Sequence, residues 1–233
     1  LVNGASGAIA LTVGGANATT SFAGTLSGAG SLVKVGSGTQ TLAGAGITYT
    51  GFTMVKNGTL YLNDTTAYAS PTYVTSGATL VTGGVNTASS GATLALDGGT
   101  YTHATTGLTG DAWRVWNGMF SISSGGGTIN LDNGRGQAGN GNNIYSDGGL
   151  QGWGPLTINA TNPYGTQNGI FFRYGSATGF AFTGPTVVNS GIIAFNGGST
   201  GLAFASSDVT LNALANVRLD QVVNGNVTNA TFR

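Results

Sequence analysis

The sequence contains no cysteine and no glutamate, and of its 233 residues only 6% are charged and only 4 are proline. The absence of cysteine excludes a disulfide scaffold and any cysteine-based metal or nucleophile site. Charged residues make up about a quarter of an ordinary globular domain, so the charged surface of a typical helical protein is missing here. One histidine and seven acidic residues, all aspartate, leave few groups for acid–base catalysis.

Basic runs and long apolar runs are missing as well. Seven Lys and Arg residues balance the seven aspartates, which gives a net charge of zero and no basic patch for nucleic acid. The apolar runs are only a few residues long, whereas a spanning helix needs about 20 apolar residues. We therefore predict no nucleic-acid partner and no membrane span in this segment.

What is abundant is glycine, with 43 residues, together with Thr, Ser, Asn and a hydrophobic fraction of 40%. Thr, Ser, Asn and Gly are poor helix formers that suit strands and turns. The hydrophobic residues are spread along the chain, and the zero net charge would not hold it open, so we predict a folded, all-β chain rather than a disordered one.

Short strands with one buried face are indicated by a recurring apolar-x-apolar unit, bracketed by Asn-Gly or Asp-Gly turns. The residues predicted to face inward are Leu60, Leu62, Leu94, Leu96, Leu156, Ile158, Leu211 and Leu219. The same turns would serve two-residue hairpins, so a jelly-roll-like sandwich stays open as the alternative. Internal repetition favours a solenoid, because residues 76–80 recur as 90–94 and residues 49–60 are echoed by 182–193.

Residues 20–62 carry a longer pattern. It runs through Phe22-x-Gly24-x-Leu26 and Leu32-x-Lys34-x-Gly36-x-Gly38-Thr39, and it closes with Tyr49-Thr50-Gly51 and Val55-x-x-Gly58-Thr59-Leu60. This pattern resembles the autotransporter-associated β-strand repeat, also called the passenger-associated transport repeat. The echo at 182–193 keeps only the closing half of the pattern.

The resemblance implies a single-stranded right-handed parallel β-helix, and we expect residues 1–233 to form one such β-solenoid segment of a longer chain. It also implies a bacterial passenger, exported across the outer membrane by a separate translocator and secreted or held at the cell surface. With coils of about 20 residues, the segment would hold on the order of 11 coils, although the irregular spacing indicates that coil length varies.

No catalytic residue, cofactor or metal site is predicted. His103 has no Asp or Ser motif beside it, and we expect it to lie on a strand and point outward. The seven aspartates stand singly, mostly beside Gly or Asn, as turn formers do. Residues 132–143 could form a calcium loop, but they contain one carboxylate, and a surface loop is the preferred interpretation.

Residues 101–182 depart from the rest because they are rich in aromatic residues. The candidate ligand-binding residues lie there: Trp113, Trp116, Tyr145 and Trp153. Filling of a wider coil is the preferred interpretation of this region. The Thr-x-Thr pairs, at 39 and 41, 48 and 50, and 100 and 102, are spaced too irregularly in sequence for us to predict a flat threonine array.

The functional expectation is therefore a non-enzymatic structural or display module: a stalk, a spacer or a fibre-forming passenger. An adhesin that binds glycan or a cell surface is the alternative, and a polysaccharide-active β-helix enzyme is a third. Because neither end shows a cap, we expect head-to-tail self-association through the coils at 1–15 and 215–233.

Overall fold

The computed structural model describes residues 9–83, 92–104, 113–116, 118–132, 143–146, 148–160, 169–173, 180–196 and 208–220. In these ranges the regular secondary structure consists of β-strands and includes no α-helix, as the composition predicts. The strands are β1 (Ala10–Val13), β2 (Thr20–Phe22), β3 (Ser31–Lys34), β4 (Thr39–Ala43), β5 (Thr53–Val55), β6 (Gly58–Asn63), β7 (Thr72–Thr75), β8 (Ala78–Gly83), β9 (Leu94–Asp97), β10 (Gly99–Ala104), β11 (Trp113–Trp116), β12 (Phe120–Ile122), β13 (Gly127–Asp132), β14 (Asn143–Ser146), β15 (Leu150–Gly152), β16 (Leu156–Ala160), β17 (Gly169–Arg173), β18 (Phe180–Phe182), β19 (Thr186–Asn196) and β20 (Val209–Asp220).

These strands pair in two parallel sheets. The eight-stranded sheet has the order β1-β3-β5-β7-β9-β12-β15-β18. The second sheet, here called the long sheet, has 12 strands. Along one side of the solenoid its order is β2-β4-β6-β8-β10-β13-β16-β19, with β20 beside β19. Parallel neighbours cannot be joined by a tight hairpin, so each step along a sheet is one further coil. The chain is a parallel β-helix, and the described strand pairing excludes the hairpin-paired sandwich.

A third face forms where β11, β14 and β17 stack in the same order. It joins the long sheet because β19 turns a corner: Thr186 at its start pairs with Leu156 of β16, whereas Ile192 further along pairs with Gly169 of β17. In an early coil the third face is represented by the isolated bridge between Leu26 and Ile47. The third face therefore widens along the solenoid.

Coil length follows from the register. Paired positions are 20 residues apart at Thr20 and Gln40, 28 at Thr102 and Asn130, and 30 at Asn159 and Asn189. The longer coils fall in residues 101–182, where the third face gains its strands. These spacings agree with the expectation that coil length varies, and the coils of residues 101–182 are longer than the expected value of about 20 residues.

The interior is built from inward columns of aliphatic and aromatic side chains. Six of the predicted inward residues are at most 1% exposed: Leu60, Leu62, Leu94, Leu96, Leu156 and Ile158. Leu211 continues an inward column, since it pairs with the buried Val188. It is nevertheless 45% exposed, because its strand β20 pairs with β19 alone among the described strands. The side chain of Leu219 lies outside the described residues.

Candidate functional site

The four aromatic candidates are divided between two parts of the coil. Trp113 and Trp116 lie on β11, and Tyr145 lies on the neighbouring strand β14, opposite Val115. The side chains of these three residues lie outside the described part of the structure. Trp153 follows β15 in the eight-stranded sheet and is 67% exposed. The register thus brings three candidates onto adjacent strands of the third face and leaves Trp153 on another sheet.

His103 is buried, and the prediction that it points outward was wrong. It lies on β10 with Tyr101, and the strand alternation turns both side chains toward the core. The Thr82 hydroxyl lies 2.8 Å from the Tyr101 hydroxyl and 3.0 Å from His103 Nδ1. At 2% exposure, His103 is a core residue of this network, out of reach of a substrate in solution.

The described aspartates lie at turns and strand ends. Asp64 has a left-handed backbone with a φ of 53°, and Asp97 Oδ1 accepts a hydrogen bond of 2.9 Å from the Gly125 amide of the next coil. No three His, Cys, Asp or Glu side chains cluster as a metal site within the described ranges. Residues 133–142 of the calcium candidate lie outside those ranges. The described residues also include no helix long and apolar enough to cross a membrane.

A buried hydroxyl cluster, which was not predicted from the sequence, lies beside strands β5 and β7 of the eight-stranded sheet. The Tyr68 hydroxyl lies 2.7 Å from Thr53 Oγ1 and 2.6 Å from Thr72 Oγ1. Thr53 also contacts the hydroxyls of Tyr49 and Ser70, and the two tyrosine rings meet edge to face at 5.9 Å. Because each of these hydroxyls has a partner inside the cluster, the cluster fits a structural role.

Burial also controls the ionisation of the core tyrosines. Desolvation raises the pKa of Tyr68. Desolvation also raises the pKa of Tyr49, and electrostatic repulsion from the neighbouring Tyr68 is a second cause of that rise. Desolvation likewise raises the pKa of Tyr101. All three phenols therefore stay neutral at physiological pH and act as hydrogen-bonding core residues.

The outer side of the long sheet carries a regular line of threonines, here called the threonine column. The register aligns them coil by coil: Thr39, Thr59, Thr79, Thr100, Thr128 and Thr157, followed by Val187 and then Thr210. Neighbouring members are spaced by the strand separation of about 4.7–4.9 Å. The coils differ in length, but the register is kept. The Thr-x-Thr pairs do not recur coil by coil, since Thr41 is aligned with Tyr61 and Val81; the single column was not predicted from the sequence.

Beside the threonine column runs a second outward column that ends in an asparagine ladder. Asn159 Nδ2 donates to Asn130 Oδ1 at 2.8 Å, Asn189 Nδ2 to Asn159 Oδ1 at 2.8 Å, and Asn212 Nδ2 to Asn189 Oδ1 at 2.6 Å. The earlier positions of this column are Thr41, Tyr61, Val81 and Thr102. Neither column contains a charged residue.

The two columns differ in what they can offer a ligand. The ladder amides are largely used between coils, but within the described part of the chain the hydroxyls of Thr59, Thr79 and Thr100 make no hydrogen bond to protein. A threonine hydroxyl can both donate and accept, so the column presents a straight line of such groups to solvent. Part of the column is visible in the sequence as the Thr-x-Thr pairs that begin at Thr39 and Thr100, but only the register shows that these two threonines share one column.

No protein-family model, curated protein or solved structure was found to match this chain. Functional inference therefore rests on the residues and geometry given above.

Proposed function

We propose that this chain is a structural β-solenoid outside the cell, a spacer or display stalk made of stacked coils. The observation that carries the proposal is the unbroken parallel stacking of coils around inward columns, such as Leu60, Leu80, Tyr101 and Ile129. A stack of this kind turns added sequence into added length. The repeat pattern of residues 20–62 supports export from a bacterial cell and display at its surface.

The places given to polar residues support the same proposal. His103 is in the core, and Asp64 and Asp97 shape turns. These three residues, which could otherwise supply acid–base chemistry, thus have structural positions.

Two measurements on the 233-residue chain test the proposal. Small-angle scattering should give an elongated particle, and incubation with a panel of neutral and acidic polysaccharides should release no new reducing ends or unsaturated products. Turnover that Asp97→Asn abolishes would contradict the spacer proposal and would support a polysaccharide-active enzyme.

A second candidate function, adhesion to a neutral glycan, is favoured by the threonine column. Among the described contacts, the hydroxyls of Thr59, Thr79 and Thr100 make no hydrogen bond to protein, and the column is regular and contains no charged residue. These properties suit an uncharged polyhydroxy chain lying along the solenoid axis. The triple variant Thr79→Val/Thr100→Val/Thr128→Val keeps the β-branched shape and removes three hydroxyls. It should lose binding to a neutral-glycan array.

The matched control for this variant is Thr12→Val, an exposed threonine on β1 of the eight-stranded sheet, which should bind as the unmodified chain does. Loss of binding on Trp153→Ala, with the triple valine variant unaffected, would move the adhesive site to the exposed tryptophan. If the unmodified chain binds no glycan on the array, the adhesion proposal is rejected and the spacer proposal is unaffected.

A further inference from the structure

Lys34 occupies a position that the fold otherwise gives to apolar side chains. It ends β3, and the parallel register places it between Val13 of the preceding coil and Val55 of the next coil. Val74 continues the same inward column. Lys34 is 0% exposed, so its ammonium group is removed from water, which is costly unless the group is fully hydrogen-bonded.

The ammonium group is bound by three backbone carbonyls. Lys34 Nζ donates to Val35 O at 2.8 Å, Gly36 O at 2.8 Å and Asn57 O at 3.1 Å. A lysine ammonium has three donors, so these contacts use all of them. No carboxylate forms a salt bridge with Lys34 among the residues that the structure describes, so carbonyl dipoles alone compensate the charge.

Glycines make this carbonyl arrangement possible. A Cβ atom on Gly14 would collide with the Val35 carbonyl oxygen and would lie 3.2 Å from Lys34 Nζ. A Cβ atom on Gly58 would lie 2.5 Å from the Gly36 carbonyl oxygen. Three consecutive coils therefore approach one another closely around the ammonium group, and the carbonyl cage is built by the backbone.

We propose that the carbonyls of Val35, Gly36 and Asn57 form a preformed cation site, that Lys34 supplies its cation from within the chain, and that this contact fixes the register of the adjoining coils. The site is selective for a primary ammonium group, because three acceptors converge on one point and match its three donors. Two of the acceptors belong to the coil of Lys34 and the third to the next coil.

Register is the property that such a contact can control. A slip of one residue would exchange the two sides of a strand, so the Lys34 side chain would turn outward and the Asn57 carbonyl of the next coil would lose its ammonium donor. An apolar column alone accepts several aliphatic residues at this position, whereas the carbonyl cage accepts a cation. A single buried polar group that specifies register in this way is known in other architectures.

The test is chemical rescue of Lys34→Ala in the 233-residue chain. The variant removes the cation and leaves a space beside the carbonyls. Its thermal midpoint should lie below that of the unmodified chain and should rise saturably with methylammonium chloride. Tetramethylammonium chloride at the same ionic strength, which has no N–H donor, should give no such rise. Equal responses to the two salts would overturn the proposal.

Lys56→Ala is the matched control, because the other lysine of the chain is exposed and lies one coil further on. Its thermal midpoint should stay close to that of the unmodified chain and should show no methylammonium-specific rise. If Lys34→Ala does not fold, Lys34→Met and Lys56→Met replace the pair. The first should lower the midpoint and the second should not, and equal midpoints would contradict the proposal.

A further measurement needs no variant of Lys34. In a chain labelled with ¹⁵N-lysine, the Lys34 ammonium protons should exchange with water at least tenfold more slowly than those of Lys56. Lys56→Arg identifies the second resonance. Equal exchange rates for the two ammonium groups would show that Lys34 is not held by the carbonyls, and the cation site would be rejected.

Discussion

The side-chain amide Nδ2 of Asn189 donates a hydrogen bond of 2.8 Å to the side-chain Oδ1 of Asn159, although the two residues are 30 positions apart. Asn159 in turn donates to Asn130 at 2.8 Å. Each side-chain amide of the ladder therefore reports on the stacking of two coils. The ladder runs on the outer side of the long sheet, beside the threonine column.

Removal of an internal ladder amide should cost more than removal of a terminal one. Asn159→Ala breaks two hydrogen bonds, whereas Asn212→Ala breaks one among the described contacts. At about 1 kcal/mol per hydrogen bond, the free energy of unfolding should fall by about 2 kcal/mol and about 1 kcal/mol, respectively. Urea unfolding measures both values, and equal losses would show that the ladder is not continuous.

The buried hydroxyl cluster should be sensitive to a single oxygen atom. Tyr68→Phe removes the partner of Thr53 and Thr72 and should lower the free energy of unfolding by about 1–3 kcal/mol, since it disturbs buried groups. Tyr73→Phe removes the hydroxyl of a tyrosine that is 44% exposed. This control should change the free energy by no more than about 0.5 kcal/mol. A similar loss in both variants would deny the cluster a stabilising role.

Alkaline pH should destabilise the fold through the buried tyrosines. The pKa values of Tyr49, Tyr68 and Tyr101 are raised in the folded state by desolvation, while in the unfolded chain they return to about 10. Above that pH the unfolded state binds fewer protons than the folded state, so stability falls as pH rises. Below it the contribution is fully present.

Urea unfolding at several pH values from 8 to 11 measures this slope. Tyr68→Phe should reduce it, because the variant removes one of the three phenols whose pKa is raised by burial. Lys34 acts with the opposite sign, because burial lowers its pKa in the folded state and the unfolded state then binds more protons up to about pH 10.5. Stability that does not fall above pH 10 in the unmodified chain would contradict the assignment to buried tyrosines.

Head-to-tail association should depend on the coil that contains Leu211. This residue is 45% exposed, and the net charge of zero gives little repulsion between copies. Sedimentation velocity should show the average mass rising with concentration, and Leu211→Lys should reduce the rise because an edge lysine opposes strand pairing. Tyr73→Lys is the control on another sheet. A monomer at every concentration would rule out association of this segment.

The sequence predicts strand identity well because the period of two fixes which side chains share a face. Leu94 and Leu96 are inward for this reason. The same alternation in Tyr101-Thr102-His103 allows two orientations, and the polarity of His103 favoured the wrong one. Leu32-x-Lys34 has the inward period too, but a lysine is not assigned to a core without knowledge of the carbonyls that receive it.

The alternation of apolar residues does not predict which residues of different coils lie side by side or which coil covers a given residue. The alignment of Thr100 with Thr128 depends on the length of the coil between them, which includes the third face. The local sequence pattern does not determine that length. The exposure of Leu211 depends on whether another coil covers it, which is a property of the stack and not of the strand.

Distances between spin labels on the threonine column test the central claim, a rigid spacer of stacked coils, most directly. With one label at Thr39 and the second at Thr128, Thr157 or Thr210, the pairs are separated by four, five and seven coil steps. At about 4.8 Å per step, the backbone separations are about 19, 24 and 34 Å. The account predicts narrow distance distributions whose means increase in that order by about one strand spacing per coil. Broad distributions, or means that do not increase with coil number, would contradict it.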